Sequence, residues 1–231
     1  MPSARRAPQL KGVPTAGMVR LVAETPYTRE DGYARRYRDI RFTTGSGAGT
    51  DRRERAALAA LLAAAARRGL SVAGPWLDAP SGAGRMSGAL PGLVVQADRD
   101  PAMVAAAGPG RPRACASVHA LPFGDGAFAG VLCHRLLQHI PGADERRAIL
   151  AELARVSRGI VVVSFFDALS LQSLRRALRR WTGKTRSGRS AVRRGAFLAE
   201  CRVAGLEPVA VRALRRFVGE QTLVLCVRAA R

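Results

Sequence analysis

The chain has 231 residues, 48% of them hydrophobic, and a formal net charge of +21 at pH 7. This length fits one domain with a terminal extension better than two domains, and the apolar content suffices for a core without disulfides or metals. The composition favours general basicity over nucleic-acid binding, because 36 of the 38 basic residues are arginine, as a GC-rich genome would also produce.

No apolar run approaches the about 18 residues that a membrane span needs, and the N-terminus holds no signal-peptide run. We therefore expect a cytoplasmic protein without a membrane span. The four cysteines are widely spaced, with neither a Cys-x-x-Cys motif nor a histidine pair. This spacing predicts reduced thiols and no metal site.

The first 70 residues fall into a tail and a helical region. Residues 1–19 mix Pro, Gly and basic residues without a period, which predicts a disordered basic tail. Residues 20–70 are predicted to form an N-terminal helical cap region, beginning with a short helix at 31–42 that carries Tyr33 and Tyr37.

A long helix follows within the same cap region. Residues 44–50 are predicted to be a glycine-rich link, because four of the seven are Gly or Ala. Asp51 is predicted as the N-cap of an Ala/Leu helix that ends at Arg68, before Gly69.

Residues 71–231 alternate short apolar runs with helical stretches, which is the βαβ pattern of a parallel sheet. The candidate strands are 75–79, 93–97, 113–117, 130–133 and 159–165. A clear amphipathic helix is predicted at 144–156, between the last two strands.

The stretch 168–217 is the most basic of the chain. Its first part, 168–190, is predicted to be a basic helical insertion or lid that contains a helix at 169–181. One face of this helix carries Leu171, Leu174, Leu178 and Trp181. The opposite arginine face fits a solvated surface or a lid over an acidic or amphiphilic substrate, which we favour, or a membrane-surface contact.

A helix and two strands complete the chain. The helix is predicted at 191–204, where a glycine ends it. Strands at 209–218 and 221–227 are predicted to pair as an antiparallel hairpin across Gly219 and Glu220.

Two strand ends carry the residues that predict a ligand site. One apolar strand ends at Asp78 and passes into a turn with Gly82 and Gly84, where the backbone can approach a ligand closely. The next strand ends at Asp98, about 20 residues later, where a carboxylate can accept hydrogen bonds from ribose hydroxyls. Asp78 could alternatively cap a following helix; Asp98 is freed from that role because Asp100 already supplies a helix start.

Later segments add to this pattern: Ala120-Leu121-Pro122-Phe123, Phe128, Leu137-Gln138-His139-Ile140 and Arg155-Val156. Together with the two acidic strand ends, they resemble the class I S-adenosylmethionine (SAM) methyltransferases, in particular the ubiquinone- and menaquinone-pathway group. The resemblance is densest from 77 to 163. It implies an α/β, three-layer, Rossmann-like fold with a seven-stranded, mostly parallel sheet, an antiparallel C-terminal hairpin, and 71–231 as the catalytic domain.

The resemblance also implies SAM as the cofactor and a set of residues around it. Gly82 and Gly84 would lie beside the methionine part, Asp98 at the ribose, and Ser117 and Val118 at the adenine. The remaining implied cofactor residues are Asp78, Pro80, Arg99, Cys133 and His134. Tyr33 and Tyr37 would fold over the cofactor, as N-terminal helices do in similar enzymes, or pack half-buried.

Three departures from the family pattern bear on activity. Pro80 replaces the first glycine of the turn and contributes no N–H. Ser117 stands where an Asp or Asn is usual, and Ala129 removes the acid that follows Phe128. These departures motivate one alternative function, a cofactor-binding relative that does not catalyse methyl transfer.

Methyl transfer requires mainly that a nucleophile be aligned with the activated methyl group and that water be excluded. A phenolic or enolic acceptor would also need a base, and His134 and His139 have a suitable unperturbed pKa of about 6.5. His139 lies on an apolar stretch and could instead be structural. We expect a small-molecule acceptor, aromatic or lipid-like; the arginine cluster at 175–216 leaves RNA or protein methylation as an alternative.

Overall fold

The computed structural model describes residues 19–20, 33–34, 40–181, 189–215 and 217–229. Its strands are β1 (Val19–Arg20), β2 (Trp76–Asp78), β3 (Val94–Asp98), β4 (Arg113–Cys115), β5 (Phe128–Cys133), β6 (Ser157–Phe166), β7 (Leu206–Ala213) and β8 (Gln221–Arg228). Its α-helices are α1 (Gly45–Arg67), α2 (Pro101–Ala106), α3 (Ala143–Val156), α4 (Leu171–Trp181) and α5 (Arg194–Val203). Two 3₁₀ helices, Ser87–Ala89 and Leu137–His139, complete the described elements.

The strands form one mixed sheet in the order β1-β4-β3-β2-β5-β6-β8-β7. The pairs from β1 to β6 are parallel, whereas β8 runs antiparallel to both β6 and β7. The predicted seven-stranded, mostly parallel sheet with an antiparallel C-terminal hairpin is therefore confirmed. The additional β1 is a two-residue edge strand in which Val19 pairs with Ala114; residues 1–18 of the predicted tail lie outside the described residues.

Helices cover both faces of the sheet, which gives the predicted three layers. On one face, α3 and α5 bury Ile149, Leu153 and Phe197 against the strands, and the Phe197 ring stacks on Phe165 at 4.1 Å between centroids. On the other face, α1 buries its apolar side, including Leu58, against the sheet. Among the described helices, none is long and apolar enough to cross a membrane.

Helix α1 begins at Gly45, so the predicted glycine-rich link and the Asp51 N-cap are wrong. Its first turn packs tightly on the preceding segment, because a Cβ on Gly47 would collide with the carbonyl oxygen of Arg41. Small residues at this position therefore permit a close contact rather than a flexible link. The predicted C-terminal end is confirmed, since α1 stops at Arg67 and Gly69 follows with a φ of +72°.

The hairpin has a different turn from the predicted one. β7 ends at Ala213, which pairs with Thr222, and a seven-residue loop, 214–220, joins the two strands. This loop is hydrogen-bonded to the start of α4. The N–H groups of Leu171 and Gln172 donate to the carbonyl oxygens of Phe217 and Val218 at 2.9 and 3.1 Å. Phe217 and Val218 therefore accept hydrogen bonds from α4 and do not extend the hairpin, so the predicted tight turn at Gly219 and Glu220 does not form.

The other predicted elements are found within a few residues of their expected bounds. The five predicted strands of the parallel part correspond to β2 through β6, and the predicted helices at 144–156, 169–181 and 191–204 correspond to α3, α4 and α5. Of the short helix predicted at 31–42, Tyr33 and Ala34 are helical, while 35–39, including Tyr37, lie outside the described residues. The four cysteines are free and buried, as expected.

Candidate cofactor site

The candidate site lies where the strand order reverses. β2 is paired with β3 on one side and with β5 on the other. The chain continues from β2 to β3 in one direction and from β5 to β6 in the opposite direction. In open α/β sheets, ligands bind in the crevice outside the carboxyl ends of the strands at this switch point. Asp78, Asp98 and Cys133 are the last residues of β2, β3 and β5, so the structure brings these predicted residues to one place.

Asp98 organises the turn that follows β2. One carboxylate oxygen accepts a hydrogen bond from the backbone N–H of Gly82 at 2.8 Å, and the other accepts from the N–H of Asp100 at 2.9 Å. Asp100 in turn caps α2 by accepting from the N–H of Ala102 at 2.9 Å. Asp98 thus holds the start of the glycine turn against the end of β3.

The turn itself approaches β3 closely. Gly82 and Gly84 have φ angles of +53° and +77°, which residues with a side chain rarely adopt. A Cβ on Gly84 would collide with the side-chain amide nitrogen of Gln96 and lie 3.2 Å from the carbonyl oxygen of Ala107. Both glycines are thus required by backbone geometry. The peptide bond between Ala79 and Pro80, at the start of the turn, is cis.

Asp78 is buried in a polar chain beneath the turn. Its carboxylate accepts a hydrogen bond from the Ser87 hydroxyl at 2.6 Å, and that hydroxyl accepts one from the Gln96 amide nitrogen at 2.8 Å. Among the described residues the segment after β2 contains no α-helix, so the alternative role of Asp78 as a helix cap is wrong. Burial raises the pKa of Asp78 to about 7, against the opposing hydrogen bond from Ser87 and the charge of Arg85.

The neighbouring Gln96 carries an unsatisfied atom. Its side-chain oxygen is buried and has no hydrogen-bond partner among the residues that the structure describes. A buried acceptor without a donor costs free energy comparable to a lost hydrogen bond. A donor group on a ligand in the crevice would therefore be favoured here.

The other predicted cofactor residues differ in their burial and in their contacts. Val118 is buried, Arg99 is exposed, and the half-buried Ser117 hydroxyl lies 3.2 Å from Nδ1 of His119. Cys133 is packed in the apolar core on the α3 face, and burial raises the pKa of its thiol. Its backbone ends β5 at the crevice, while its side chain belongs to the core. Tyr33 packs half-buried against the core cluster that includes Ala83 of the turn.

The two candidate bases have opposite environments. His139 is exposed at the end of its 3₁₀ helix. His134 is buried; its Nε2 lies 3.3 Å from Oε2 of Glu54, but neither ring nitrogen makes a hydrogen bond with good geometry among the described residues. Burial lowers the pKa of His134, although Glu54 opposes this change. His134 is therefore neutral at pH 7.

Next to His134 lies a buried ionic cluster that sequence analysis missed. Glu54 of α1 is fully buried and accepts hydrogen bonds from Arg85 at 2.6 Å and from Arg135 at 2.7 Å. Asp51, the residue predicted as an N-cap, pairs instead with Arg85 at 2.5 Å. Burial alone would raise the pKa of Glu54, but His134, Arg135 and Arg85 lower it to about 2.

This cluster ties three segments of the site together. Arg85 follows the glycine turn, and Arg135 follows β5 in a left-handed conformation, with φ of +60°. The Arg135 N–H donates to the Ser164 hydroxyl at 2.7 Å, and the Phe42 ring lies 4.1 Å from the Arg85 guanidinium carbon. A sequence signal for the cluster exists: Glu54 lies on the same helical stripe as Leu58 and Leu61, and an acid on an apolar stripe needs a buried partner.

A separate groove opens farther along the same edge of the sheet. It has a volume of about 840 Å³ and lies at the carboxyl end of β6, the neighbour of β5. Its wall includes the buried Asp167, which forms an ion pair with Arg194 at 2.7 Å. The apolar part of the lining comprises Leu169, Val211, Ala213, Leu214 and Phe217.

The strand order and the switch-point crevice define a Rossmann-like methyltransferase fold. The sequence profile of a family described as a methyltransferase domain matches residues 77–165, the span that contains the crevice. No curated protein matches the chain by sequence.

Solved structures have the same fold at low sequence identity. The magnesium protoporphyrin IX methyltransferase from Synechocystis PCC 6803, with bound S-adenosylhomocysteine (SAH), is 18% identical, with a TM-score of 0.65 over 86% of this chain and 94% of that one. A SAM-dependent methyltransferase from Clostridium acetobutylicum is 11% identical, with a TM-score of 0.63 over 84% and 96%. One from Thermotoga maritima is 16% identical, with a TM-score of 0.61 over 85% and 94%.

The matched domain and these structures support a class I SAM-dependent methyltransferase that uses SAM as its cofactor. The Synechocystis enzyme has been crystallised with SAM as well as with SAH. The match is to the methyltransferase domain in general, so the ubiquinone- and menaquinone-pathway group stays a hypothesis.

Proposed function

We propose that the chain transfers the methyl group of SAM to a small-molecule acceptor with an aromatic or lipid-like body. The observation that carries this proposal is the crevice at the switch point, where Asp78, the Gly82–Gly84 turn and Asp98 meet. The matched methyltransferase domain spans these residues.

The residues of the crevice fit SAM in their chemistry. The carboxylate of Asp98, at the end of β3, is the type of acceptor that ribose hydroxyls require, and the adjoining turn is built on Gly82 and Gly84. The unsatisfied oxygen of Gln96 and the buried carboxylate of Asp78 suit the ammonium group of the methionine part. Ser117 and Val118 would contact the adenine. When bound, SAM supplies a methyl group that its sulfonium already activates for displacement.

The groove beside β6 supports an acceptor with an apolar body. Its apolar lining includes Leu169 and Phe217, while the Asp167–Arg194 pair supplies polar groups on the same wall. Ligand sites of this kind are largely apolar with a few polar groups that fix orientation. The groove lies at the same edge of the sheet as the crevice, and transfer would require that an acceptor bound there reach the methyl group.

His134 is the better candidate base of the two histidines. The Glu54 carboxylate, 3.3 Å from Nε2, would favour the tautomer with the proton on Nε2, and Nδ1 would then carry the lone pair that accepts a proton. The same carboxylate would stabilise the imidazolium that forms when Nδ1 accepts a proton from a phenolic or enolic acceptor. The exposed His139 has no comparable environment and serves as a comparison.

Calorimetry with SAM tests the cofactor part of the proposal. We expect the wild-type protein to bind SAM, and Asp98→Asn to bind about tenfold or more weakly, because the ribose hydroxyls lose a charged acceptor. Asp144→Asn, at an exposed acid of α3, is the matched control and should bind as wild type does. Absence of SAM binding to the wild type, or equal binding by Asp98→Asn, would contradict the proposal.

Product formation tests the transfer itself. Incubation of the protein with SAM and fractionated small-molecule extracts should yield SAH only in the presence of an acceptor fraction. SAM binding without SAH in any fraction would instead support the non-catalytic alternative.

A further inference from the structure

Helix α4 exposes its leucines. Leu174 and Leu178 are 56% and 53% exposed, and Leu171 is exposed as well. Among the α4 side chains that the structure describes, the buried one is Ser173, whose hydroxyl shares its proton between the carbonyl oxygen of Asp167 at 3.0 Å and a carboxylate oxygen of Glu220 at 3.1 Å. The usual arrangement of a surface helix, with apolar residues inward, is reversed here.

The geometry of the helix fixes the outward direction of the leucines. Because successive residues of an α-helix are separated by about 100°, Ser173 lies about 100° or more around the axis from each of the three leucines. The two hydrogen bonds of Ser173 fix which side of α4 meets the body. The leucine stripe cannot turn inward without breaking them.

Adjacent residues extend the apolar surface. Leu169, before α4, is 71% exposed, and Phe217, in the 214–220 loop, is 78% exposed. The carbonyl oxygen of Phe217 accepts a hydrogen bond from the N–H of Leu171 at 2.9 Å, so the loop is attached to the start of the helix. We call these five residues, Leu169, Leu171, Leu174, Leu178 and Phe217, the α4 surface.

The charged residues of helix α4 itself have one sign. Helix α4 contains four arginines and no acidic residue. Arg175 and Arg179 are exposed and lie next to the leucine stripe on the helical wheel. Leucines flanked by long cationic side chains suit the boundary between headgroups and acyl chains, where leucines enter the apolar layer and guanidinium groups reach the phosphates.

We propose that the α4 surface docks on an anionic lipid bilayer. Exposed leucines supply the apolar contact, and the arginines select a negatively charged surface. Leu169 and Phe217 also line the groove beside β6, so docking would place the mouth of that groove at the bilayer. The docking does not depend on methyl transfer, whereas a role for the groove in acceptor entry rests on the proposed function.

Flotation with lipid vesicles tests the apolar part of the inference. The full chain should float with vesicles of phosphatidylcholine and phosphatidylglycerol and not with phosphatidylcholine alone. Leu174→Gln with Leu178→Gln should weaken binding about tenfold or more, because two half-exposed leucines no longer enter the lipid. The matched control, Ile40→Gln with Val203→Gln, changes two apolar residues elsewhere that are more exposed than the tested pair, and it should bind as wild type does.

A second pair of variants tests the charge. Arg175→Gln with Arg179→Gln should weaken binding about tenfold, whereas Arg52→Gln with Arg53→Gln, two exposed arginines of α1, should change it far less. Equal losses in the two pairs would mean that the total charge of the chain, and not the α4 surface, attracts the vesicles, and would overturn the proposal. Absence of flotation with anionic vesicles would also overturn it.

A further experiment must distinguish a lipid bilayer from a protein partner on the α4 surface. Sedimentation velocity of the wild type and of Leu174→Gln with Leu178→Gln should give the same mass over a range of concentrations. A wild-type oligomer that these substitutions dissociate would overturn the lipid proposal in favour of a second copy of the chain. Calorimetry with SAM should give equal affinities for both proteins, so a failure of docking is distinguishable from a failure of the cofactor site.

Discussion

Among the individual residues of the site, Asp78 has a strongly altered acidity. Its pKa of about 7 in the folded protein lies above the ordinary value of 3.8 because the carboxyl group is buried. Ionisation of Asp78 therefore disfavours the folded state increasingly as pH rises from about 4 to about 7, and fully above that. A ligand cation beside Asp78 would reverse this effect, which links the raised pKa to cofactor binding.

The variant Asp78→Asn tests this link. Asn cannot ionise and keeps an oxygen that can accept from Ser87, so the cofactor-free variant should be more stable than wild type at pH 8 and similar near pH 4. The same variant should bind SAM more weakly at pH 8, because the attraction to the methionine ammonium is lost. Thermal unfolding and calorimetry at both pH values measure the two effects, and an equal stability difference at pH 4 and pH 8 would contradict the assignment.

Glu54 presents the opposite case. Its pKa of about 2 lies below the ordinary 4.5, because the interactions of the carboxylate with His134, Arg135 and Arg85 outweigh the effect of burial. The carboxylate therefore contributes stability that is present above pH 4.5 and is lost as pH falls toward 2.

Replacing Glu54 by Gln should leave Arg85 and Arg135 without their buried counter-charge, at a cost of about 3 kcal/mol in the free energy of unfolding. Urea denaturation at pH 7 measures the loss. Glu145→Gln is the control, because the exposed pair of Glu145 with His119 should contribute less than about 1 kcal/mol. Similar losses for the two variants would argue against the buried cluster.

His134 allows a prediction about turnover. With a phenolic acceptor, His134→Gln should lower kcat by about a hundredfold, far more than it lowers the affinity for SAM, and His139→Gln should change neither. Because burial lowers the pKa of His134, the wild-type kcat should stay constant down to pH values below the ordinary 6.5 and fall only there. A kcat that declines from pH 7.5 downward would assign the base elsewhere.

At the scale of elements, helix α1 forms one side of the site. It supplies Glu54 and Asp51 to the ionic cluster, and its glycine-rich first turn lies against Arg41. The composition of that turn is typical of a link, yet the close contact requires just such small residues.

Two glycines of α1 give a matched test of this packing. Ala is favoured over Gly in a helix interior by about 1 kcal/mol. Gly49→Ala should realise much of that gain, since an added Cβ would meet only the flexible guanidinium of Arg53 at 3.5 Å. Gly47→Ala should destabilise by about 1 to 3 kcal/mol through collision with the Arg41 carbonyl. Urea unfolding should therefore give opposite signs; a gain in both variants would mean that the first turn does not pack there.

For the whole molecule, the charge of +21 is the dominant property. Several of the described arginines form ion pairs within the protein. Arg146 forms a buried ion pair with Glu200 at 2.6 Å, and Arg155 pairs with Glu152 and Asp125. These ion pairs leave the net charge at +21, but the arginines in them are less available to contact RNA. The remaining excess of positive charge should repel itself and lower stability.

Salt should consequently stabilise the fold. Raising sodium chloride from low concentration to about 0.15 M shortens the Debye length to about 8 Å, so the midpoint of thermal unfolding should rise. Sodium sulfate at equal ionic strength separates screening from anion binding, because only binding adds a further increase. A midpoint that falls with sodium chloride would show that surface ion pairs outweigh the repulsion.

Much of the crevice was predictable from sequence. Asp78, Gly82, Gly84 and Asp98 lie within 21 residues of one another, and a parallel βαβ unit must bring the carboxyl ends of its strands to one edge. Local patterns also placed the helix start at Asp100 and most strands of the sheet. These features depend on neighbours in the chain, which a single sequence displays directly.

Tertiary structure alone decided the rest. Glu54 meets Arg85 and Arg135 across 31 and 81 positions of the chain, a pairing that no local pattern encodes. The outward direction of the α4 leucines likewise depends on Ser173 reaching Glu220, 47 positions away. Periodicity determines which residues share a face of a helix, but only the packing of distant segments determines whether that face meets the core or the solvent.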